Sequence, residues 1–174
     1  MGTEETLGSS CIQFMTAGKG VRHSEHNLNE SNPLRFIQMW LTPRSRGLPP
    51  NYGSATGDAK ARRAGWHHIV SDVQDASTST AVQINTDANM FVTEMDAEGN
   101  GDRELRIEEG RQAYMLCVDG QVQVKGGDAA VSLQRHDACE VVGPLTLKLS
   151  TSAKAHILCI EMAFNPRASG RGDL

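Results

Sequence analysis

The sequence predicts an all-β fold, a sandwich or barrel of short strands. Apolar residues alternate with polar ones at period two through much of the chain. In Leu145-Thr-Leu-Lys-Leu149 the three leucines share one face, and Thr146 and Lys148 share the other. Turn residues recur about every ten positions in the second half, a spacing typical of sandwiches and barrels. No stretch carries an apolar stripe at the helical period, and only residues 56–63 allow one short helix.

Taken in order, strands are expected at 12–15, 35–41, 66–71 and 90–95, then at 114–118, 121–125, 129–133, 138–142, 145–150 and 155–162. Asp119-Gly120 separates two of these runs. Asp-Gly between strands predicts a tight hairpin, because a type I′ turn needs φ > 0 at both central residues. Lys125-Gly-Gly-Asp128 reads as the next turn. Pro43, Gly47, Pro49, Pro50, Gly53 and Gly57 mark a linker over 43–60. It divides the chain into an N-terminal piece, 1–42, and a β-domain, 61–164, followed by a flexible tail, 165–174. The second piece can bury a core. The first cannot do so alone, because two or three strands do not enclose one.

Composition narrows the function. The chain has 174 residues, 39% of them hydrophobic, and a net charge of −4. The apolar content suits a globular domain. The longest apolar run, 113–118, is far short of the roughly 20 residues a membrane helix needs. The acidic balance argues against direct nucleic-acid binding, and the basic stretch 44–63 reads as a solvated loop. The opening MGTEETLGSS lacks the basic and apolar regions of a signal peptide. A cytoplasmic chain is expected, with the nucleus open to it and secretion excluded. Cys11, Cys117, Cys139 and Cys159 form no C-x-x-C clip and are expected as free thiols, with Cys117 and Cys159 in the core.

The densest polar cluster is Ala17-Gly-Lys-Gly-Val-Arg-His-Ser-Glu-His-Asn27. A glycine turn precedes a run that reads as a strand. On a strand His23 and Glu25 project together and His26 opposes them. Imidazole and carboxylate are ligand types of a non-haem iron site. The segment can therefore give two ligands to one metal, or be a structural pair. Elsewhere the bland readings hold: Trp66 as core, His67 and His68 as one buried and one exposed, His136 as a turn residue, and Glu104, Glu108 and Glu109 as a solvated edge. The terminal Arg171-Gly-Asp173 reads as chance.

Gly20-x-x-His23-x-x-x-Asn27 resembles the second metal motif of the cupin superfamily. The fuller string, Met15-Thr-Ala-Gly-Lys-Gly-Val-Arg-His-Ser-Glu25, resembles the pirin family. Leu34-Arg-Phe-Ile-Gln-Met-Trp-Leu-Thr-Pro43 and Gly47-Leu-Pro-Pro-Asn-Tyr52 are similar to its bacterial, quercetinase-type branch. The run from Gly110 to Val122 resembles the start of the pirin C-terminal cupin.

The resemblance implies a cupin, or double-stranded β-helix, of jelly-roll-like form, with a partial second cupin unit at the N-terminus. It implies an iron site, Fe(II) or Fe(III), in the N-terminal cupin, with His23 and Glu25 as ligands and Glu25 also able to act as a catalytic base. It further implies either quercetin-type dioxygenation of a small aromatic, flavonol-like substrate or a regulatory role. The family's His-x-His motif should precede His23 by tens of residues. Only 22 residues precede His23, none is His, and no His-x-His occurs in the chain. The expectation is an incomplete metal site with weak or absent iron binding, in a chain not catalytically competent alone. The alternatives are a non-enzymatic protein-binding module, forming a homodimer or meeting a partner through exposed strands, and a shortened product of a full-length pirin.

Overall fold

The computed structural model describes residues 2–97 and 102–165. Its main body is one sheet of nine strands that curls on itself. The elements are β3 (His67–Asp72), β4 (Val82–Ile84), β5 (Ala88–Met95), β6 (Asp102–Ile107), β7 (Arg111–Gly126), β8 (Ala129–Gln134), β9 (Ala138–Val142), β10 (Leu145–Ser150) and β11 (Ala155–Ala163). They run in the order β4-β3-β5-β11-β7-β10-β6, with β8 and β9 also pairing with β7. The all-β expectation is met. The expected tail and its Arg171-Gly-Asp173 lie outside the described residues, apart from Asn165.

β7 is the hub. Its first half pairs with β11 and β9, and its second half with β8 and β10. The two halves meet at Asp119-Gly120, where no hairpin forms, contrary to the sequence expectation. Gly120 has φ +77°, and the β11 register shifts between His156 and Ile157, which face Asp119 and Cys117. A left-handed glycine serves a β-bulge as well as a turn, and a bulge bends and twists its strand. A Cβ on Gly120 would lie 1.8 Å from the Lys154 carbonyl oxygen, so the crossing also needs close backbone approach. The Gly127-Asp128 turn does form, joining β7 to β8 with Gly126 opposite Ala129.

The bend lets inward residues of both halves enclose one core. Met115, Cys117, Ile107, Leu147, Ile157 and Cys159 are all buried within it, and Trp66 packs against its edge. Each fully buried large aliphatic side chain contributes about 1.5–3 kcal/mol relative to exposure. All four cysteines are free thiols, and burial pushes the Cys159 thiol up to about 12. Both His67 and His68 are half-buried rather than one in and one out. His67 lies opposite Val92, while His68 stacks on Phe91 with ring centroids 4.3 Å apart. His136 is an exposed turn residue with φ +75°.

The N-terminal piece forms a two-stranded sheet, β1 (Ile12–Thr16) with β2 (Asn51–Ala55). β2 falls inside 43–60, the stretch expected as linker: three prolines and two glycines flank it, and only Gly53 enters its ladder. That glycine sits opposite Phe14, whose ring would lie 2.4 Å from any Cβ there. The inner face of this hairpin, Ile12, Phe14 and Ala55, packs with Leu41 on a second core of Ile69, Val70, Val82 and Met90. The first piece therefore closes no core of its own and borrows the outer face of the main sheet. Arg44 ties the returning chain to it, bonding both Asp72 carboxylate oxygens and the Asn85 side chain.

The short helix α1 (Ala59–Ala64) follows, capped by Asp58, which accepts from the backbone N–H groups of Lys60 and Ala61. Arg62 and Arg63 both pair with Glu94 of β5, which fixes the helix against the sheet. The basic stretch is thus partly committed to internal ion pairs. No strand forms at 35–41, where one was expected. Its alternating pattern has no neighbouring strand to complete a ladder, and Phe36, Ile37, Met39 and Trp40 stand in solvent.

Gly120→Val should lower unfolding stability by about 2 kcal/mol or more in urea melts. Gly65→Ala should change it little, because nothing lies within 4 Å of a Cβ there and the backbone is extended. The Arg44 guanidinium holds the Asp72 carboxyl below its ordinary range, against the opposing effect of burial. The stabilisation is present above the unfolded value of about 4 and is lost as pH falls through the lower folded value. The urea-midpoint gap between wild type and Asp72→Asn should therefore be full at neutral pH and shrink at about pH 4 and below. A gap constant with pH would exclude this ion pair as its source.

Candidate metal half-site on the hairpin

The glycine turn at 18–20 reverses the chain after β1. Gly18 has φ +55°, and Gly20 donates to the Ala17 carbonyl. The segment beyond it is irregular and exposed, so the strand expected through His23 and Glu25 does not form. No partner strand lies beside it, and without a ladder the period-two argument for a shared His23–Glu25 face lapses.

What orders the segment instead is the hairpin's outer face. β1 and β2 alternate, so Gln13 lies opposite Ser54 and Met15 opposite Tyr52, away from the apolar inner face. Gln13 Nε2 donates to Glu25 Oε1 at 2.6 Å. Glu5 joins the same face. Its two oxygens accept from Tyr52 Oη at 2.8 Å and Ser54 Oγ at 2.6 Å. Tyr52 Oη also lies 3.4 Å from Gln13 Oε1, but its single proton serves the shorter contact. The Ser54 hydroxyl, and after it Tyr52, hold the Glu5 carboxyl below its usual value. The same Glu5 contact raises the Tyr52 phenol above its own.

His23 makes no hydrogen bond or ion pair among the described residues. His26 contacts Ser24 Oγ at 3.0 Å. Among the described residues no group of three or more His, Cys, Asp or Glu side chains is placed to hold a metal ion. The donor types of His23 and Glu25 fit a first-row metal, but they fill two positions only. Sequence reasoning singled out these two and did not anticipate the contacts of Gln13, Tyr52, Ser54 and Glu5. An i, i+2 scan cannot see contacts that bridge 12 to 49 positions.

A second polar cluster, also unanticipated, spans the barrel rim. Arg111 bonds Glu161 through Nε and Nη2, and Asp87 through Nη1. Asn89 Nδ2 donates to Glu161 Oε2 at 2.8 Å, which leaves its Oδ1 to accept from His68 Nε2 at 3.0 Å. These groups satisfy one another and brace β3, β5, β7 and β11.

The architecture is a curled double-stranded β-helix with a polar-faced hairpin docked on its outer surface, the class of a cupin. Sequence comparisons agree. The pattern described as "Quercetinase C-terminal cupin domain" matches residues 59–162, and the pattern "Pirin" matches residues 1–41, which contain His23 and Glu25. The chain belongs to the pirin family.

It is 31% identical over 163 residues to a putative quercetin 2,3-dioxygenase of Pseudomonas aeruginosa, covering 94% of this chain and 66% of that protein. It is 27% identical to a quercetin 2,3-dioxygenase of Escherichia coli O157:H7, covering 76% and 54%. Crystal structures of YhhW from Escherichia coli superpose with TM-scores of 0.78 and, for the nickel(II) complex, 0.76. Their sequence identities are 21% and 20%, and each match covers 93% of this chain and 64% or 65% of YhhW. This likeness shows the cupin fold. The chain spans about 54–66% of the length of these relatives. Among the described residues no helix is long and apolar enough to cross a membrane.

In a Tyr114→Phe background, which leaves Tyr52 as the sole tyrosine, Glu5→Gln should lower the pH at which the phenol ionises. Phenolate absorbance reads the change. An unchanged titration would place Glu5 away from Tyr52 in solution.

Proposed function

We propose that this chain is a metal-binding cupin of the quercetinase-type pirin class, with His23 and Glu25 as two ligands of its metal. The observation that carries the reading is the coincidence of a His–Glu pair with the part of the chain that matches the pirin pattern. The nickel(II) held by YhhW supports a first-row metal, and the family resemblance favours iron. A bound iron ion would supply Lewis acidity and redox chemistry toward O₂. This chain's own part is smaller. His23 offers an unengaged imidazole, and Glu25 offers a carboxylate with one oxygen held by Gln13 and the other open.

Two ligands bind weakly, so ring-opening of quercetin or a similar flavonol needs donors beyond those the described residues provide. In this reading the chain alone is not a competent dioxygenase. A second reading, a non-catalytic protein-binding module, is supported by the exposed Leu28, Leu34, Phe36 and Trp40, the last 85% accessible. A homodimer or a partner protein would cover them.

Elemental analysis and titration should find weak Fe(II) or Ni(II) binding to wild type, lost in His23→Ala, with no quercetin turnover when Fe(II) is added. Stoichiometric metal together with turnover that His23→Ala abolishes would show a complete site and overturn the half-site. Metal binding indifferent to His23 would refute the ligand assignment. A dimer on sizing columns, lost in Trp40→Asp, would favour the second reading.

A further inference from the structure

We propose that two copies of this chain associate by pairing their 34–42 segments as antiparallel strands about a two-fold axis at Gln38. The inference rests on the second reading above, the binding module, and names its partner. Residues 33–41 form no regular element, and none of their backbone N–H or carbonyl groups makes a hydrogen bond among the described residues. The stretch is nevertheless fixed at both ends. Arg35 Nη2 donates to the Val118 carbonyl at 3.4 Å, and Leu41 packs on the second core. Backbone groups and apolar side chains are thus open together in one anchored segment, the condition under which a chain takes up a further strand.

The order of residues selects a second copy as that strand. Pro33 and Pro43 bound the stretch, and proline ends a ladder because it has no N–H to give. Gln38 lies midway between them. A two-fold interface brings the same surface of both copies together, and a strand paired with itself in this way runs antiparallel. About Gln38, Phe36 then meets the partner's Trp40, Ile37 the partner's Met39, and Arg35 the partner's Leu41. Arg35 is the only charged residue between the prolines, and its opposite is apolar, so no like charges meet. Phe36 and Trp40 are 59% and 85% accessible, against 45% and 39% for Ile37 and Met39, so the aromatic face is the more open. An aromatic side chain removes about 150–250 Å² from water when buried. With Leu28, Leu34, Ile37 and Met39, the two aromatics of each copy offer surface on the order of the 800 Å² per partner that a stable interface takes.

The test uses the full chain. Light scattering and amide hydrogen exchange are followed as protein concentration rises, for wild type and Trp40→Asp. Gln38→Cys and Thr42→Cys, each in a Cys11→Ser background, are exposed to mild oxidation. Wild type should double in mass, with exchange over 34–42 slowing in step. Trp40→Asp should stay monomeric with its melting temperature unchanged. A residue facing its own counterpart across antiparallel strands stands about 4.5–5.5 Å from it between α-carbons, within disulfide reach. Gln38→Cys should therefore cross-link two copies. Position 42 lies roughly 27 Å from its counterpart in this register, so Thr42→Cys should not. A dimer lost in Trp40→Asp that leaves 34–42 unprotected, or that cross-links no better at 38 than at 42, overturns the strand pairing and leaves the binding module standing. A dimer that Trp40→Asp leaves intact refutes this surface and the inference with it. A wild type that stays monomeric at every concentration overturns the inference and leaves only a partner of another kind to the second reading.

Discussion

The bend in β7 is the constraint on which the rest of the structure depends. One strand serves two pairings because Gly120 adopts a left-handed conformation that places its α-carbon against the Lys154 carbonyl. A straight β7 would leave β8 and β10 unable to curl over β11 and β9, and Met115 and Leu149 would not share a core. The sheet therefore curls through backbone geometry at one residue, and its apolar side chains then fill the space inside the curl.

The hairpin shows the complementary principle, in which period-two alternation assigns separate duties to the two faces of a small sheet. Even-numbered Ile12 and Phe14 anchor it. Odd-numbered Gln13, with Tyr52 and Ser54 across the ladder, holds carboxylates. A two-stranded sheet is not stable alone, so its polar face can be orderly only because its apolar face is docked.

Much of this was legible in the sequence. The strands from 129 to 162 are short apolar-rich runs divided by turn residues, with β10 alternating strictly, and they form where expected. The one short helix allowed at 56–63 forms at Ala59–Ala64. The errors share a physical cause. Asp119-Gly120 announces a residue with φ > 0, but local sequence does not separate a turn from a bulge; the pairing partners decide. Residues 35–41 have strand-forming side chains, but a strand exists only beside another strand. The same holds for 21–25, where the strand that would have set His23 and Glu25 on one face does not form. Gln13 carries no local signal at all, since its meaning arises from a segment twelve residues further on.

β5 lies between the two cores. Its odd residues Phe91 and Met95 face the barrel core, and its even residues Met90 and Val92 face the hairpin. One strand is thus inside two cores at once. An excised barrel beginning at residue 59 would keep its interior but bare the patch formed by Ile69, Val70, Met90 and Val92. The hairpin therefore covers an apolar face of the main sheet, although the family patterns divide the chain between 41 and 59. The seam visible in sequence is not a seam in the packing.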